Sequence, residues 1–329
     1  MQNMNKASSL AMALEPLEYE AAHGALTAKT QKGVGKAELL KGAAFIQSHC
    51  KAANNGLLDS LSAMKSHDLT EQNRAALMDR IDTKYLIPRQ YLQGILTALS
   101  QDYSVLCENH KRIFTYETTY FDTPNKHFYH AHHNGHLNRR KVRYRRYVES
   151  NLGFMEVKLK NNKRRTIKKR VPMDCIKTND RRVKDFVNRC LIEGEKSEVL
   201  SPQESLLNTS LFVNYRRITL LNKHHQERLT IDVDLHFQCS QSNNSRQFEE
   251  LFIVEVKRDA KQQLSSFSNV IKQLALKPIN FSKYCMGLAL THDGGLKTNR
   301  FKQTLLRVEK MAAMAKLADT NNKEYVIGD

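Results

Sequence analysis

The chain has no C-x-x-C pair. Its six cysteines stand at 50, 107, 175, 190, 239 and 285, a spacing that argues against a zinc knuckle or a disulfide framework and suits reduced thiols. It also has no apolar run near the roughly 20 residues needed to cross a bilayer, and its start lacks the basic-then-apolar order of a signal peptide. The expectation is a cytoplasmic protein without a transmembrane segment. The Gly33-Val34-Gly35-Lys36 stretch is not a phosphate loop, because the Gly-x-x-x-x-Gly-Lys-Ser/Thr spacing is missing. What the chain is shortest of is negative charge. Against 52 Lys+Arg there are 34 Asp+Glu, a formal balance of +18, so the first partner to seek is an anion: nucleic acid, anionic lipid or polyphosphate.

With 329 residues, 40% of them hydrophobic, the chain can bury a real core. Residues 1–75 show only short apolar groupings such as Leu57, Leu58 and Leu61, and read as an extension of frayed helices. From Pro88, which suits a first helical turn, Leu92, Ile95, Leu96 and Leu99 mark one helical face. The period then changes to two: Tyr116, Thr118, Tyr120 and Asp122 alternate before a Thr123-Pro124-Asn125 turn. A helix is expected over 180–193, strands over 211–221, 227–237 and 250–258, and helices over 266–276 and 301–318. These elements describe an α+β protein of long antiparallel strands with helices packed outside, and long strands favour a closed or nearly closed sheet. The boundaries read as 1–75 for the extension, 76–292 for the main domain and 293–329 for a C-terminal helix and tail.

The charge is local. Residues 139–170 hold fourteen Lys or Arg against Glu149 and Glu156, which is +12 of the +18. Within it Arg139, Lys141, Arg143 and Arg145 occupy alternate positions, so in a strand they project from one face. Glu156 and Lys158 share a face of the next strand, Lys168 and Arg170 recur two apart, and the Glu-Val-Lys spacing returns at Glu255-Val256-Lys257. Between the copies lie Tyr215 and Arg217, then Arg228, Thr230, Asp232 and Asp234, again alternating. A wet basic face has no need for carboxylates repeated among its cations. A barrel interior that holds phosphate and metal needs both: guanidinium groups chelate phosphate oxygens, and carboxylates hold a divalent ion.

These residues carry a resemblance. Arg80-Ile81-Asp82-Thr83-Lys84-Tyr85, Tyr120-Phe121-Asp122-Thr123, Arg139-x-Lys141-x-Arg143-x-Arg145-x-Tyr147, Glu156-Val157-Lys158, Tyr215-x-Arg217, Arg228-x-Thr230-x-Asp232, Glu255-Val256-Lys257 and Phe281-Ser282-Lys283-Tyr284 resemble, in order, the motifs of the VTC domain. The resemblance implies the triphosphate tunnel metalloenzyme fold, an eight-stranded antiparallel β-barrel with a basic lumen. It further implies a polyphosphate polymerase that moves the terminal phosphate of ATP onto a growing polyphosphate with Mn²⁺ or Mg²⁺. Carried onto this sequence, Lys84, Arg143, Arg145, Lys158 and Lys283 take catalytic positions. Arg80, Arg139, Lys141, Tyr215, Arg217, Arg228, Lys257 and Ser282 bind substrate, and Glu255 holds the metal. Glu156 and Asp232 are further inward carboxylates, while Asp122 and Asp232 also suit a turn or strand end.

The hydrolase branch of that superfamily typically opens with Glu-x-Glu-x-Lys, where this chain has Arg80-x-Asp82-x-Lys84. That difference favours a polymerase over a tri- or polyphosphate hydrolase. An RNA-binding module is the non-enzyme alternative, and it requires exposed aromatics beside the arginines, with Tyr144, Tyr147 and Phe154 available. ATP and polyphosphate are the expected partners ahead of nucleic acid. His127, His130, His132, His133 and His136 fit no compact ligand set and read as a solvated loop or tunnel mouth.

Overall fold

The computed structural model describes residues 56–74, 80–162, 166–173, 185–190, 207–242, 244–259 and 264–324. The Gly-Val-Gly-Lys stretch, Cys50, Cys175 and most of the expected extension lie outside them, as does the Arg80 side chain. The elements are α1 (Leu57–Ser62), β1 (Ser66–His67), α2 (Leu69–Arg74), β2 (Arg80–Pro88), α3 (Leu92–Leu99), β3 (Tyr103–Leu106), β4 (Phe114–Asp122), α4 (His127–His133), β5 (Arg139–Tyr147), β6 (Leu152–Lys160), β7 (Thr166–Pro172), β8 (Asn208–Asn222), β9 (Glu227–Cys239), β10 (Ser245–Phe248), β11 (Leu251–Asp259), α5 (Ser266–Gln273), α6 (Lys283–Thr291) and α7 (Lys302–Glu324).

Eight strands form one antiparallel path in the order β2-β11-β9-β8-β4-β5-β6-β7. This is the expected eight-stranded α+β architecture with one difference. Among the described residues β2 and β7 do not pair, so the sheet curls without closing its ladder. The convex face carries an apolar layer in which Ile87, Ile231, Val254 and Val256 pack under α3 and α5 through Ile95, Leu96, Phe267 and Ile271. This is where the 3.6-residue periodicity of those helices is used. Pro88 ends β2 and caps a 3-10 turn at Arg89–Tyr91; it does not open α3. Of the expected helix over 180–193, residues 185–190 are described and helical, with Val187 and Cys190 buried.

Residues 57–74, read from sequence as part of the extension, pack onto the sheet. Leu61 and Met64 are buried in the convex-side layer, β1 pairs in parallel with β3, and Arg112 donates to the carbonyls of Leu61 and Met64. No helix among the described residues is long and apolar enough to cross a membrane.

One irregularity decides which residues line the concave face. Asp234 has φ 54, and the β8–β9 register shifts between Asn214 and Arg216, so β9 holds one extra residue there. A bulge reverses the parity of the strand that carries it. On one side Arg228, Thr230 and Asp232 share the face of Arg217; on the other Leu235, Phe237 and Cys239 do, in a layer with Leu211, Val213, Leu288 and Ala289. The concave face is therefore polar over one stretch and apolar over the next. Helix α6 fills the apolar stretch, and it approaches β8 so closely that a Cβ on Gly287 would lie 2.4 Å from Leu211 Cδ2.

Candidate functional site

The concave face collects nearly all the residues singled out above, because alternation in each strand meets its neighbour in register. Lys84 on β2 opposes Glu255 on β11, and Lys257 opposes both Asp82 and Arg228. Arg217 on β8 opposes Asp232 on β9. Across the sheet Arg143 opposes Tyr120 and Glu156, Lys141 opposes Lys158, and Arg145 opposes Thr118 and Phe154. On β7, Arg170 and Lys168 continue the rows from Glu156 and Lys158. Side chains two apart on a strand stand roughly 6.5–7 Å apart, so the cations on this face are stepped at that interval.

Most of these charges are buried, which is costly unless they are paired. Arg145 and Lys257 are 0% exposed. Arg143 donates from Nε to Glu156 Oε2 at 2.6 Å and from Nη1 to the Tyr120 hydroxyl at 3.3 Å. Burial disfavours its charge, but Glu156 and Tyr120 outweigh burial and raise its pKa. Arg217 grips Asp232 with two parallel hydrogen bonds, 2.6 and 2.9 Å, and Lys283 at the start of α6 donates to the same carboxylate. Burial pushes Asp232 up, yet Arg217 and Lys283 together hold it at about 2. Lys283 is the marginal member of this trio: burial, with Arg217 beside it, brings its ammonium down to about 7 in spite of Asp232. Arg145 donates to Thr118 Oγ1 at 3.3 Å, and burial and Arg143 lower its pKa.

Glu156 and Glu255 each keep one buried carboxylate oxygen, Oε1, without a hydrogen-bond partner, but Glu156 is bound through its other oxygen to Arg143, which leaves Glu255 as the candidate to hold a metal. It is 3% exposed, and its Oε1 has no hydrogen-bond partner. Burial pushes its pKa up, but Lys84, Lys257 and Arg217 more than offset that and keep it below the usual range, so the group is ionised. An ionised, buried carboxylate oxygen without a donor fits a divalent ion. Among the described residues no cluster of three or more His, Cys, Asp or Glu could hold one alone. A divalent ion there would need further ligands from outside the protein, as hard, oxygen-seeking cations commonly take.

An aromatic ladder runs beside the cations. Tyr116 stacks on Tyr215 with centroids 4.9 Å apart and meets Tyr147 edge-on at 5.1 Å. The Arg217 guanidinium lies 4.9 Å from the Tyr116 centroid, the Arg145 guanidinium 5.5 Å, and Lys283 Nζ 4.1 Å from that of Tyr215. Tyr144, Tyr147 and Phe154 are all buried, which removes the exposed stacking platform that an RNA module requires.

Arg139, Lys141 and Lys158 are half-buried toward the end of the rows, and Arg228 is buried between Leu221 and Lys257 on the neighbouring strands. Ser282 precedes α6 and accepts or donates a 3.3 Å hydrogen bond with His132 Nε2.

Two readings from sequence are corrected and a third is narrowed. His127, His130, His132 and His133 lie in helix α4 and not in a loop, with His133 buried, while His136 follows the helix and is exposed. His132 stands among Lys141, Arg139, Lys84 and Lys160; burial first, then those charges, lower its pKa well below the ordinary imidazole value and keep it neutral. Its place in the site was missed because its contact with Ser282 spans 150 residues of sequence. Asp234, which alternates with Asp232 in the sequence, faces away at the bulge and binds Arg89 Nη1 at 2.7 Å and Arg216 Nε at 2.6 Å. Asp122, of the two carboxylates suited to a strand end, takes that role. Its oxygens accept from the backbone N–H groups of Thr123, Phe128 and Tyr129 and from the Tyr284 hydroxyl, which ties β4 to the start of α4 and to α6.

A family model described as the VTC domain matches residues 79–292. No curated protein matches at a significant level. Among solved structures, a protein of Vibrio parahaemolyticus assigned as an adenylate cyclase is 11% identical, with TM-score 0.34, over 63% of this chain and 96% of its own. A Hippeastrum protein, assigned as an adenylyl cyclase and described as having a dominant triphosphatase activity, is 12% identical, with TM-score 0.34, over 69% of this chain and 96% of its own.

Proposed function

That the chain belongs to the VTC domain family is the premise on which we propose that it is a polyphosphate polymerase acting on ATP. In the proposed step an oxygen of the acceptor chain's terminal phosphate attacks the γ-phosphorus of ATP. The bond from that phosphorus to the β–γ bridging oxygen breaks, ADP leaves, and the acceptor grows by one phosphate. Phosphoryl transfer asks little covalent help of a protein; positioning and charge stabilisation supply most of the catalysis. Arg143, Arg145, Arg217, Arg228, Lys158 and Lys283 perform that work by holding successive phosphates in line, and Lys84, Arg80, Arg139, Lys141, Lys257, Tyr215 and Ser282 extend the anion path. A divalent ion on Glu255 would neutralise phosphate charge when bound.

The observation that carries this reading is the pairing of rows of buried cations with Glu255, a buried, ionised carboxylate that keeps an oxygen without a hydrogen-bond partner. We take phosphate, not water, as the nucleophile. Glu156 and Asp232 are locked to Arg143 and Arg217, and Asp82 lies 3.7 Å from Lys257 Nζ. A terminal phosphate is already anionic at neutral pH and needs no strong base. Incubation of the purified protein with ATP and Mn²⁺ should yield ADP and long polyphosphate on a gel. Release of inorganic phosphate without chain growth would establish a hydrolase instead.

A further inference from the structure

Thr230 stands on the concave side of β9 between Arg228 and Asp232. It is 3% exposed, and its neighbours across the sheet are Thr219 on β8 and Glu255 on β11. We propose that the Thr230 hydroxyl is the second protein oxygen of the divalent-ion site, beside the carboxylate of Glu255. The proposal rests on Glu255 as the metal-holding carboxylate and adds to it a neutral ligand.

The first support is a pair of unused oxygens. Thr230 Oγ1 is buried and has no hydrogen-bond partner, and the same holds for Glu255 Oε1. Residues directly opposed on neighbouring strands have Cβ atoms roughly 4.5–5.5 Å apart, near enough for a hydroxyl to reach a glutamate. A buried hydroxyl and an ionised carboxylate placed side by side are complementary, and leaving either unused is costly. Yet they are not bonded to each other. A phosphate oxygen could accept from the hydroxyl but is repelled by the carboxylate, whereas a cation takes an oxygen from each.

Residue type is the second support. The strand needs a β-branched side chain here, and valine would fill the place without burying a hydroxyl. Arg228 has no side-chain oxygen, and both oxygens of Asp232 are engaged by Arg217 and Lys283. Of these three inward residues of β9, Thr230 therefore has the oxygen to offer. Its neutrality also matters: Lys84, Lys257 and Arg217 keep Glu255 ionised, and the same cations repel a bare divalent ion. A ligand that adds no charge leaves the ion to arrive with its phosphates. A Ser or Thr hydroxyl on Mg²⁺ beside bound phosphates is the arrangement of phosphate-loop NTPases.

Calorimetry on the full chain with inorganic tripolyphosphate, once with EDTA and once with saturating Mn²⁺, tests this. In the wild type Mn²⁺ should tighten binding. Thr230→Val should cut that gain by roughly tenfold, the low end of what loss of a supporting group costs a metal site, and leave affinity in EDTA unchanged. The melting temperature of the empty variant should not fall, since the deleted hydroxyl has no hydrogen bond to lose. Thr230→Ser should keep the gain, and Thr230→Ala carries the same test if valine disturbs folding. A gain kept in Thr230→Val takes the hydroxyl off the ion, and an equal loss in EDTA assigns it to phosphate; either overturns the inference. Glu255→Gln tells this failure from that of the reading beneath it. If Glu255→Gln loses the gain and Thr230→Val keeps it, Thr230 alone is overturned; a gain that survives both variants, or is missing from the wild type, overturns the metal site as well.

Discussion

Asp232 is the most informative side chain to change, because one buried carboxylate serves two buried cations. Asp232→Asn keeps the shape and removes the charge that Arg217 and Lys283 share. The folded chain holds Asp232 at about 2 against an ordinary 3.8, and 1.36 kcal/mol per unit makes this about 2 kcal/mol of favourable interaction for the ionised form. The folded value is depressed, so this contribution is complete above about pH 4 and is lost as pH falls through about 2. Substitution costs more than protonation alone indicates, since two buried cations lose their anion; breaking a buried pair typically costs roughly 3–5 kcal/mol. In a thermal melt at neutral pH the variant should fall by on the order of 10 °C. Inorganic tripolyphosphate, added without metal to both proteins at one concentration, about 100 times the wild-type Kd, stabilises the wild type by about 2.7 kcal/mol. In the variant the shift should be larger than in the wild type, because phosphate oxygens replace the missing carboxylate on Arg217 and Lys283. A variant that loses stability but gains no more from tripolyphosphate than the wild type would place these cations off the anion path and refute the reasoning.

Glu255→Gln should abolish metal-dependent turnover per folded molecule across a Mn²⁺ titration, while metal-free tripolyphosphate affinity, read by calorimetry, persists or tightens; normal turnover would remove Glu255 from the metal. Arg145→Ala should weaken tripolyphosphate by roughly 1.5–3 kcal/mol, the worth of a charge-assisted contact, with unchanged affinity placing Arg145 off the path. Lys283 sits at about 7 when the site is empty, and arriving phosphate charge raises it. At pH 8 binding should take up close to one proton, seen as a dependence of the calorimetric enthalpy on buffer ionisation, fading by pH 6 and absent in Lys283→Arg. Leu61→Ala should cost roughly 2–5 kcal/mol in a denaturant melt, because Leu61 is fully buried in the sheet's convex-side layer; a cost near zero would return residues 57–74 to the status of a dispensable extension.

The concave face was largely legible in sequence because a strand has a period of two. Alternate Arg139, Lys141, Arg143 and Arg145 can only share a side, and the paired Glu-Val-Lys copies place Glu156 and Glu255 with them. What periodicity cannot report is anything set by a partner distant in the chain. Leu57, Leu58 and Leu61 looked too sparse for a core because α1 and β1 offer only one short face each, completed by α3, β3 and Arg112. His132 looked like part of a solvated cluster because its surroundings come from β2, β5, β6 and the start of α6.

The bulge in β9 shows why local pattern and site can part company. Arg228, Thr230, Asp232 and Asp234 alternate without a break, and so do Leu235, Phe237 and Cys239. Either series read alone predicts a regular strand. Both cannot face inward in a regular strand, since Asp234 and Leu235 are adjacent and neighbouring side chains point to opposite sides. The left-handed backbone at Asp234, a conformation aspartate tolerates better than most residues, lets both series face the concave side and turns Asp234 out to Arg89 and Arg216. Its consequence is functional: the polar series ends at Asp232, where Lys283 enters on α6, and the apolar series begins where that helix needs a seat. One extra residue therefore sets where the cation row stops and fixes Lys283 against the carboxylate that governs its charge.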